Sequence, residues 1–312
     1  MSRKTTPTRI AVANLIALSG MLALPAQATL VVNVLTATAS TRVNALVPLV
    51  NGPQTDSNYI SQYASVFNDN SSASASAWGN SLGTYRASGE GMGVFESVGR
   101  FQRDVSLTNN NAFATDYSLN FFIYYGSMSA SSNGASGSGF GSYDLSIKQN
   151  NSSTLFASGA KIESDGTLTT TGTTLSGAFQ NGGSYSWGGT YVTLNLGSLA
   201  VGASTSINFD LVSTAFGNFG FDGTGNNNGD GGYGCYGSEL TRQVSDTSPT
   251  ACTGSVYASL GDPNDFFDNP GEPSQFVLTE RPTGNQVPLP GSLPLLGLGL
   301  AVLAYSRKYR LR

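Results

Sequence analysis

Hydrophobic and polar residues alternate with a period of two through much of the chain between residues 29 and 286. This alternation predicts β-strands with one buried face, because successive side chains of a strand point to opposite sides. The clearest runs are Phe101–Leu107, Tyr117–Tyr125, Tyr143–Ile147, Val192–Leu196 and Ile207–Leu211, followed by Leu30–Leu35, Thr154–Ile162 and Gln275–Thr279. Helical periodicity is not sustained over eleven residues anywhere in this region, and only residues 58–67 and 262–267 suit short helical turns.

Turn and loop signals separate these runs. Asn-Gly dipeptides favour tight turns because both residues tolerate positive φ, and they occur at Asn51, Asn133, Asn181 and Asn228. Segments of small residues predict loops at Ser71–Ser76, Gly126–Ser142 and Gly217–Gly237. Residues 196–211 read as a strand, a tight turn and a second strand, as in a hairpin of a β-sandwich.

Many short strands joined by glycine- and asparagine-rich turns predict an all-β fold, an antiparallel, jelly-roll-like β-sandwich. The 14 tyrosines and 16 phenylalanines supply enough bulk for a core. No proline-rich or charged linker and no internal repeat divides the region. We therefore expect one domain over residues 29–286.

The first 28 residues have the three parts of a secretory signal peptide. A basic segment precedes the apolar stretch Ile10–Leu24, and Ala26 and Ala28 form a small-x-small cleavage site for signal peptidase. The apolar stretch spans roughly 22 Å at 1.5 Å per residue, short of the ~30 Å hydrocarbon core of a bilayer. Cleavage after Ala28 is therefore favoured over an uncleaved anchor.

The last 26 residues form a second targeting segment. A proline-bracketed turn leads into a glycine- and leucine-rich stretch, and the 19 residues from Val287 to Tyr305 are just enough for one transmembrane helix. A basic tail follows, at Arg307, Lys308, Arg310 and Arg312. Positive charge stays on the cytoplasmic side, so the tail is expected inside and the body outside. An ordinary tail anchor is the alternative.

This arrangement of turn, helix and basic tail resembles the PEP-CTERM sorting signal, in its VPLPG form. The turn consists of Val287, Pro288, Leu289, Pro290 and Gly291, with leucine where the motif usually carries glutamate. The resemblance implies recognition by an exosortase, an integral-membrane enzyme. It also implies a Gram-negative host that makes exopolysaccharide, and passage from the inner membrane to the cell surface or extracellular matrix.

Charge and cysteine content fit an exported body. Seven of the 15 basic residues and none of the 19 acidic residues lie in the two end segments, so the body has eight bases, nineteen acids and a net charge of −11. Such a body should repel nucleic acid and anionic lipid. In an exported protein Cys235 and Cys252 are expected to form a disulfide, worth roughly 3 kcal/mol. A free thiol pair or a metal site is the alternative, although no histidine completes a zinc ligand set.

Catalytic motifs are weak. The chain has no histidine, which excludes Ser-His-Asp and Cys-His catalysis. Ser158 and Lys161 match S-x-x-K, but they lie in a predicted strand, where positions three apart face opposite sides. Glycoside hydrolysis would need paired carboxylates. The available ones are Glu90, Glu96, Asp262, Asp265, Asp268 and Glu272.

Two kinds of binding site remain. A glycine-rich segment carries oxygen ligands suited to Ca²⁺, without EF-hand spacing, at Asp222, Asn226, Asn228 and Asp230. No other cofactor is expected. Aromatic residues that would bind polysaccharide are Trp78, Trp187, Tyr124, Tyr125, Tyr233 and Tyr236.

The sequence therefore predicts a non-enzymatic, exported protein of the cell envelope or matrix. Signal peptidase and an exosortase are its expected processing partners, exopolysaccharide is a further partner, and nucleic acid is not expected. The body would serve as a structural or interaction module. The alternatives are a lectin-like, carbohydrate-binding sandwich and a dicarboxylate glycosidase.

Overall fold

A computed structural model of the protein describes residues 27–44, 46–68, 71–220, 254–261 and 276–283. These residues form seventeen strands and no helix, which confirms the all-β prediction. In chain order the strands are β1 (Thr29–Val43), β2 (Leu49–Asp56), β3 (Tyr59–Asn68), β4 (Ser71–Asn80), β5 (Tyr85–Met92), β6 (Val94–Thr108), β7 (Thr115–Ile123), β8 (Gly126–Ser131), β9 (Gly137–Gln149), β10 (Ser153–Glu163), β11 (Leu168–Gly172), β12 (Phe179–Asn181), β13 (Ser184–Trp187), β14 (Thr190–Leu199), β15 (Ser204–Phe219), β16 (Ser255–Gly261) and β17 (Phe276–Pro282).

The strands form three antiparallel sheets. The first sheet has the order β11-β10-β9-β15-β6-β1-β2, and the second has the order β12-β13-β8-β16-β5-β4-β3. These two sheets pack face to face, with β1 and β6 over β3, β4 and β5, and with β15 and β9 over β5, β16 and β8. A small sheet, β14-β7-β17, completes the fold. The arrangement is consistent with the predicted β-sandwich.

The predicted alternating runs are strands with one buried side. Their buried members include Phe101, Val105, Leu107, Tyr117, Leu119, Phe121, Ile123, Tyr143, Leu145, Ile147, Leu194, Leu196, Ile207, Phe209 and Leu211. Arg103 shares the buried side of β6. In the five clearest runs, two residues depart from the pattern: Val192 is only partly buried, and Tyr125 lies beyond the end of β7 and is 55% exposed.

Small residues let the two large sheets approach closely near β1, β4, β5 and β6. Ala37, Ala75 and Ala77 are almost fully buried there. A Cβ atom added at Gly99 of β6 would lie 2.7 Å from the Ser88 carbonyl oxygen and still closer to that of Ser76, both in the facing sheet. Any side chain at this position would therefore push the sheets apart.

Three local predictions were wrong. Residues 58–67 were expected to suit a helical turn, but Tyr59–Asn68 is strand β3. Ser71–Ser76 and Gly126–Ser142 were expected to be loops, but they contain β4, β8 and the start of β9. In the segments rich in serine, alanine and glycine, a low intrinsic strand preference is overridden by hydrogen bonding to strands on both sides. Strand β3 instead contains Tyr, Ile, Val and Phe residues, which favour strands by themselves. Residues 262–267 lie outside the described residues.

The structure confirms only some of the predicted Asn-Gly turns. Asn133 and Gly134 form a turn at φ 48° and 82°, as predicted. Asn51 instead lies within β2, and the turn after Asn181 is made by Gly182 and Gly183. Asn228 and most of residues 217–237 lie outside the described part of the chain.

The predicted strand-turn-strand at residues 196–211 is present but is not a paired hairpin. β14 belongs to the small sheet, whereas β15 belongs to the first sheet. The connection therefore passes from one sheet to another.

Arg103 joins parts of all three sheets. Its Nη2 donates hydrogen bonds of 2.7 Å to the carbonyl oxygens of Asn80 and Thr84, at the β4–β5 turn. The guanidinium also lies over the rings of Phe101 and Phe276. Burial lowers the pKa of Arg103 to about 9, so the side chain stays charged at neutral pH.

Candidate functional site

A run of three asparagines between β6 and β7 organises one end of the fold. The Tyr117 hydroxyl and the Asn111 backbone N–H both donate to Asn109 Oδ1, at 2.7 and 2.9 Å. Asn109 Nδ2 donates to the carbonyl oxygens of Leu199 and Phe113, at 2.8 and 3.0 Å. Asparagine suits this role because one side chain carries both donors and acceptors.

The same asparagines contact both ends of the described chain. Asn110 Nδ2 donates to Thr29 Oγ1 at 2.6 Å, and Asn111 Nδ2 donates to Glu280 Oε2 at 2.9 Å. The other carboxylate oxygen of Glu280 accepts the Ala28 backbone N–H at 3.3 Å. The residue that precedes β1 and the end of β17 are therefore joined through one carboxylate, a link that cleavage after Ala28 would remove.

We call residues 27–29, 109–114 and 280–283 the terminal junction. Thr283 extends it, because its N–H and hydroxyl both donate to the Ala114 carbonyl oxygen, at 3.1 and 2.8 Å. Desolvation, with a smaller contribution from the Glu280 charge, raises the pKa of the nearby Tyr117 hydroxyl. The segments that lead toward both predicted targeting signals thus leave the sandwich at the same end.

A second region is the outward side of the second sheet, where serines align across the strands. One row runs through all seven strands, as Tyr63, Ser76, Ser88, Ser259, Ser127, Ser186 and Phe179. The next row is Ser65, Ser74, Glu90, Tyr257, Ser129, Ser184 and Asn181. A third row is Phe67, Ser72, Met92, Ser255 and Ser131. We call these rows the serine face.

The serine face carries few charged side chains, and each is hydrogen-bonded to a serine. Glu90 accepts the Ser74 hydroxyl at 2.8 Å. Arg86, at the margin of the rows, donates from Nε to Ser259 Oγ at 3.2 Å. One acid and one base therefore leave the face near neutrality, in contrast to the acidic body as a whole.

A cleft of about 240 Å³ opens on the serine face where β8, β13 and β16 meet. Its lining residues are Tyr125, Gly126, Ser127, Ser186, Trp187, Tyr257, Ser259 and Gly261. The lining combines three aromatic side chains with the hydroxyl groups of three serines. Such a combination suits a ligand with both apolar and hydroxyl surfaces.

Trp187 is the most constrained side chain of the cleft. Only 3% exposed, it packs against Tyr143 and Tyr185 with ring centroids 4.5 and 5.7 Å away. A Cβ atom at Gly126 would lie 2.8 Å from Trp187 Cε2, so glycine is required beneath the indole. Among the described residues, the buried Nε1 of Trp187 has no hydrogen-bond partner.

The structure places the predicted sugar-binding aromatics unevenly. Trp78 is buried, Tyr124 is half-buried, and Trp187 and Tyr125 line the cleft. Tyr233 and Tyr236 lie outside the described residues. Sequence reasoning missed Tyr257, although the alternation of serine with aromatics in β3 and β16 was a signal for an outward polar face.

The S-x-x-K pair does not converge. Ser158 is buried and its Oγ lies 3.1 Å from the Tyr143 hydroxyl. Lys161 points to the outer side of the same strand, where its Nζ donates to Glu163 Oε1 at 2.7 Å. As expected for a strand, the lysine is not positioned to activate the serine.

Glu90 and Glu96 do not form a pair either. Glu90 is on the outer side of the second sheet, whereas Glu96 is on the outer side of the first sheet and is bound by Arg42 at 2.6 Å. Asp262, Asp265, Asp268 and Glu272 lie outside the described residues.

Within the described ranges, no group of three or more acidic or cysteine side chains is arranged to hold a metal ion. The predicted Ca²⁺ ligands Asp222, Asn226, Asn228 and Asp230 lie outside these ranges, as do Cys235 and Cys252. The calcium site and the disulfide therefore stay predictions.

Comparison with known protein families identifies a sorting motif at the C-terminal end of the chain. Residues 286–308 match the family model of the PEP-CTERM protein-sorting motif. The chain therefore carries this motif at its C-terminus, as the resemblance of residues 287–312 predicted, and the motif suggests an exported protein sorted by an exosortase. No curated protein and no solved structure matches the chain.

The targeting residues themselves are mostly beyond the described ranges. Ala28 lies in the terminal junction, whereas Ala26, residues 287–291 and the basic tail at 307–312 are not described. In the part of the chain that the structure covers, none of the segments is a helix capable of crossing a bilayer.

Proposed function

We propose that the protein is a non-enzymatic component of the cell envelope or extracellular matrix. A signal peptide of residues 1–28 directs export, and a C-terminal helix holds the chain briefly in the inner membrane. An exosortase-type enzyme then releases it toward the cell surface. The observation that carries this proposal is the sorting motif at residues 286–308.

The terminal junction supports a membrane-proximal arrangement of the body. Four residue steps separate Thr283 from Val287, which at ~3.3–3.6 Å per residue span about 14 Å at most. The end of β17 would therefore stay near the bilayer while the C-terminal helix is inserted. β1 begins at the same junction, at Thr29, directly after the predicted cleavage site. Both processing enzymes would act next to one end of the sandwich.

The features of the body favour an interaction role over catalysis. It lacks histidine, and Ser158 and Lys161 diverge. Its outward polar surface is ordered into the rows of the serine face. One specific observation, the aromatic cleft, favours the carbohydrate-binding alternative. Glu90 and Glu96 lie on opposite sides and give the glycosidase alternative no support.

Intact-mass measurement of protein released from the cell surface tests this proposal. We expect a species that starts at Thr29 and ends near Val287. A variant with Pro288→Ala and Pro290→Ala should retain Arg312 and remain with the membranes, because the proline-bracketed turn is lost. Released wild-type protein that still contains Arg312 would contradict sorting with cleavage.

A further inference from the structure

We propose that the cleft beside Trp187 binds a sugar ring of a neutral polysaccharide, and that the serine face accommodates the neighbouring units of the same chain. This inference names a partner for the proposed interaction module. It rests on the proposed function only in taking the body to act outside the cell.

The size and lining of the cleft suit a sugar. Its volume of about 240 Å³ is below the roughly 300–1,000 Å³ of pockets for drug-sized ligands. Tyr125 and Tyr257 offer aromatic surface, on which the C–H side of a sugar ring can pack. Ser127 and Ser186 offer hydroxyls to the polar edge of the ring, whereas Ser259 is buried and accepts a hydrogen bond from Arg86. Because each hydroxyl both donates and accepts, it can match sugar hydroxyls in either direction.

Trp187 adds a donor that the described protein leaves unused. A buried polar group without a partner lowers stability, and such groups in native structures often mark functional sites. Nε1 is enclosed on the inward side of β13, so a ligand oxygen would contact it only if the residues around it moved. The packing of Trp187 on Tyr143 and Tyr185 keeps the indole in place for this contact.

Charge favours a neutral polymer over an acidic one. Arg86 and Glu90 are hydrogen-bonded to serines of the face and leave it with no excess of cations. The whole body has a net charge of −11, so anionic chains would be repelled. Nucleic acid and acidic glycans are disfavoured by the same argument.

The length of the serine rows favours a chain over a free monosaccharide. The longest row crosses seven strands, and six spacings of ~4.8 Å give roughly 29 Å. Exposed rings stand at both ends of this row: Tyr63 on β3 is 56% exposed, and Phe179 on β12 is 64% exposed. Aromatic rings at the ends and a cleft between them provide several stacking positions along one polymer.

Binding can be tested on the full-length protein with neutral polymers such as dextran, xylan and soluble cello-oligosaccharides, and with alginate as the anionic comparison. Trp187 itself reports occupancy through tryptophan fluorescence, with a Trp78→Phe background to remove the second signal. We expect saturable binding of at least one neutral polymer and none of alginate. Preferential binding of alginate, or no binding of any neutral polymer tested, would overturn the proposal.

Variants distinguish binding at the cleft from nonspecific binding elsewhere on the surface. Tyr257→Ala and Tyr125→Ala should weaken binding at least tenfold. Trp187→Phe should weaken it about fivefold, because it removes the N–H and one ring of the indole. This variant lacks the fluorescence reporter, so its affinity is measured by isothermal titration calorimetry. Tyr191→Ala is the matched control: this tyrosine is 85% exposed but lies on β14 of the small sheet, so affinity should be unchanged. Near-ultraviolet circular dichroism checks that each variant is folded. Equal losses in the cleft variants and in the control would contradict the assignment.

The binding test and the test of sorting can succeed or fail separately. Polysaccharide binding by a protein that retains Arg312 would leave this inference intact and contradict the proposed processing. Correct processing without polysaccharide binding would support the proposed processing and contradict this inference. A concentration-dependent dimer in sedimentation that dissociates in Tyr257→Ala would show that the cleft faces a second copy of the chain, and would also overturn the inference.

Discussion

The guanidinium carbon of Arg103 lies 4.8 Å from the ring centroid of Phe276. Arg103 belongs to β6 of the first sheet, and Phe276 begins β17, the last strand before the sorting motif. The same guanidinium holds the β4–β5 turn through Asn80 and Thr84. One buried cation thus ties the strand nearest the sorting motif to both large sheets.

Replacing Arg103 should be severely destabilising. Arg103→Met orphans the carbonyl oxygens of Asn80 and Thr84 and removes the cation from between the aromatic rings. We expect the free energy of unfolding to fall by about 3 kcal/mol or more, measured by urea denaturation. Arg100→Met is the control, because Arg100 pairs with Asp210 on the exposed side of β6 and should cost less than about 1 kcal/mol. Equal losses would contradict the role of Arg103.

Two buried tyrosines should respond differently to loss of the hydroxyl. The Tyr85 hydroxyl has no hydrogen-bond partner among the described residues, whereas the Tyr143 hydroxyl lies 3.1 Å from Ser158 Oγ. Tyr85→Phe should therefore be neutral or slightly stabilising, and Tyr143→Phe should cost about 1 kcal/mol. Thermal unfolding of the two variants tests the order, and a larger loss for Tyr85→Phe would refute it.

Stability at alkaline pH should depend on Tyr143. Burial raises its pKa to about 12, while the unfolded value is ~10. Between these values the unfolded chain releases the proton and the folded chain keeps it, so Tyr143 lowers stability as pH rises, by up to about 1.4 kcal/mol per pH unit. Arg103 acts in the opposite direction, because its pKa is lowered. The free energies of unfolding of the wild type and of Tyr143→Phe are therefore measured by urea denaturation from pH 9 to 11. The advantage of the wild type over the variant should shrink as pH rises. A constant difference between the two proteins would contradict this role of Tyr143.

The close approach of the sheets predicts that Gly99 tolerates no side chain. A methyl group there would meet the carbonyl oxygens of Ser76 and Ser88, and backbone atoms cannot move aside as a flexible side chain can. Gly99→Ala should lower the free energy of unfolding by about 3 kcal/mol or prevent folding. Gly188→Ala serves as the comparison, since a Cβ there meets only the Ser176 oxygen at 3.4 Å. Similar stability of both variants would show that the sheets can separate.

The terminal junction predicts local control of β17. Asn111→Ala removes the hydrogen bonds from Asn111 Nδ2 to Tyr117 and Glu280. Hydrogen exchange of the backbone amides in residues 276–281 should become about tenfold faster, because the end of the edge strand is released. Asn120→Ala, which removes an exposed bond to Thr279 of the same strand, should change exchange much less. Unchanged protection in Asn111→Ala would mean that β7 alone holds β17.

The cleft on the serine face was predicted from the sequence only in part. Trp187 and Tyr125 were identified as candidate aromatics, but they are distant in the chain from each other and from Tyr257 and Ser259. Only strand pairing brings β8, β13 and β16 together, and no local pattern encodes that pairing. The cleft was therefore not predictable as a site, although some of its members were.

The sequence by itself determined the strands with large apolar residues, including the buried side of β6, and the sorting motif, because alternation and targeting signals are local properties of the chain. Only the tertiary structure decided that β4 and β8 are strands, that β14 and β15 belong to different sheets, and that Asn110 and Asn111 link the start of β1 to the end of β17. Short runs of serine, alanine and glycine have little preference of their own. Their conformation is set by hydrogen bonds to neighbouring strands and by the facing sheet, whose close approach small residues alone permit.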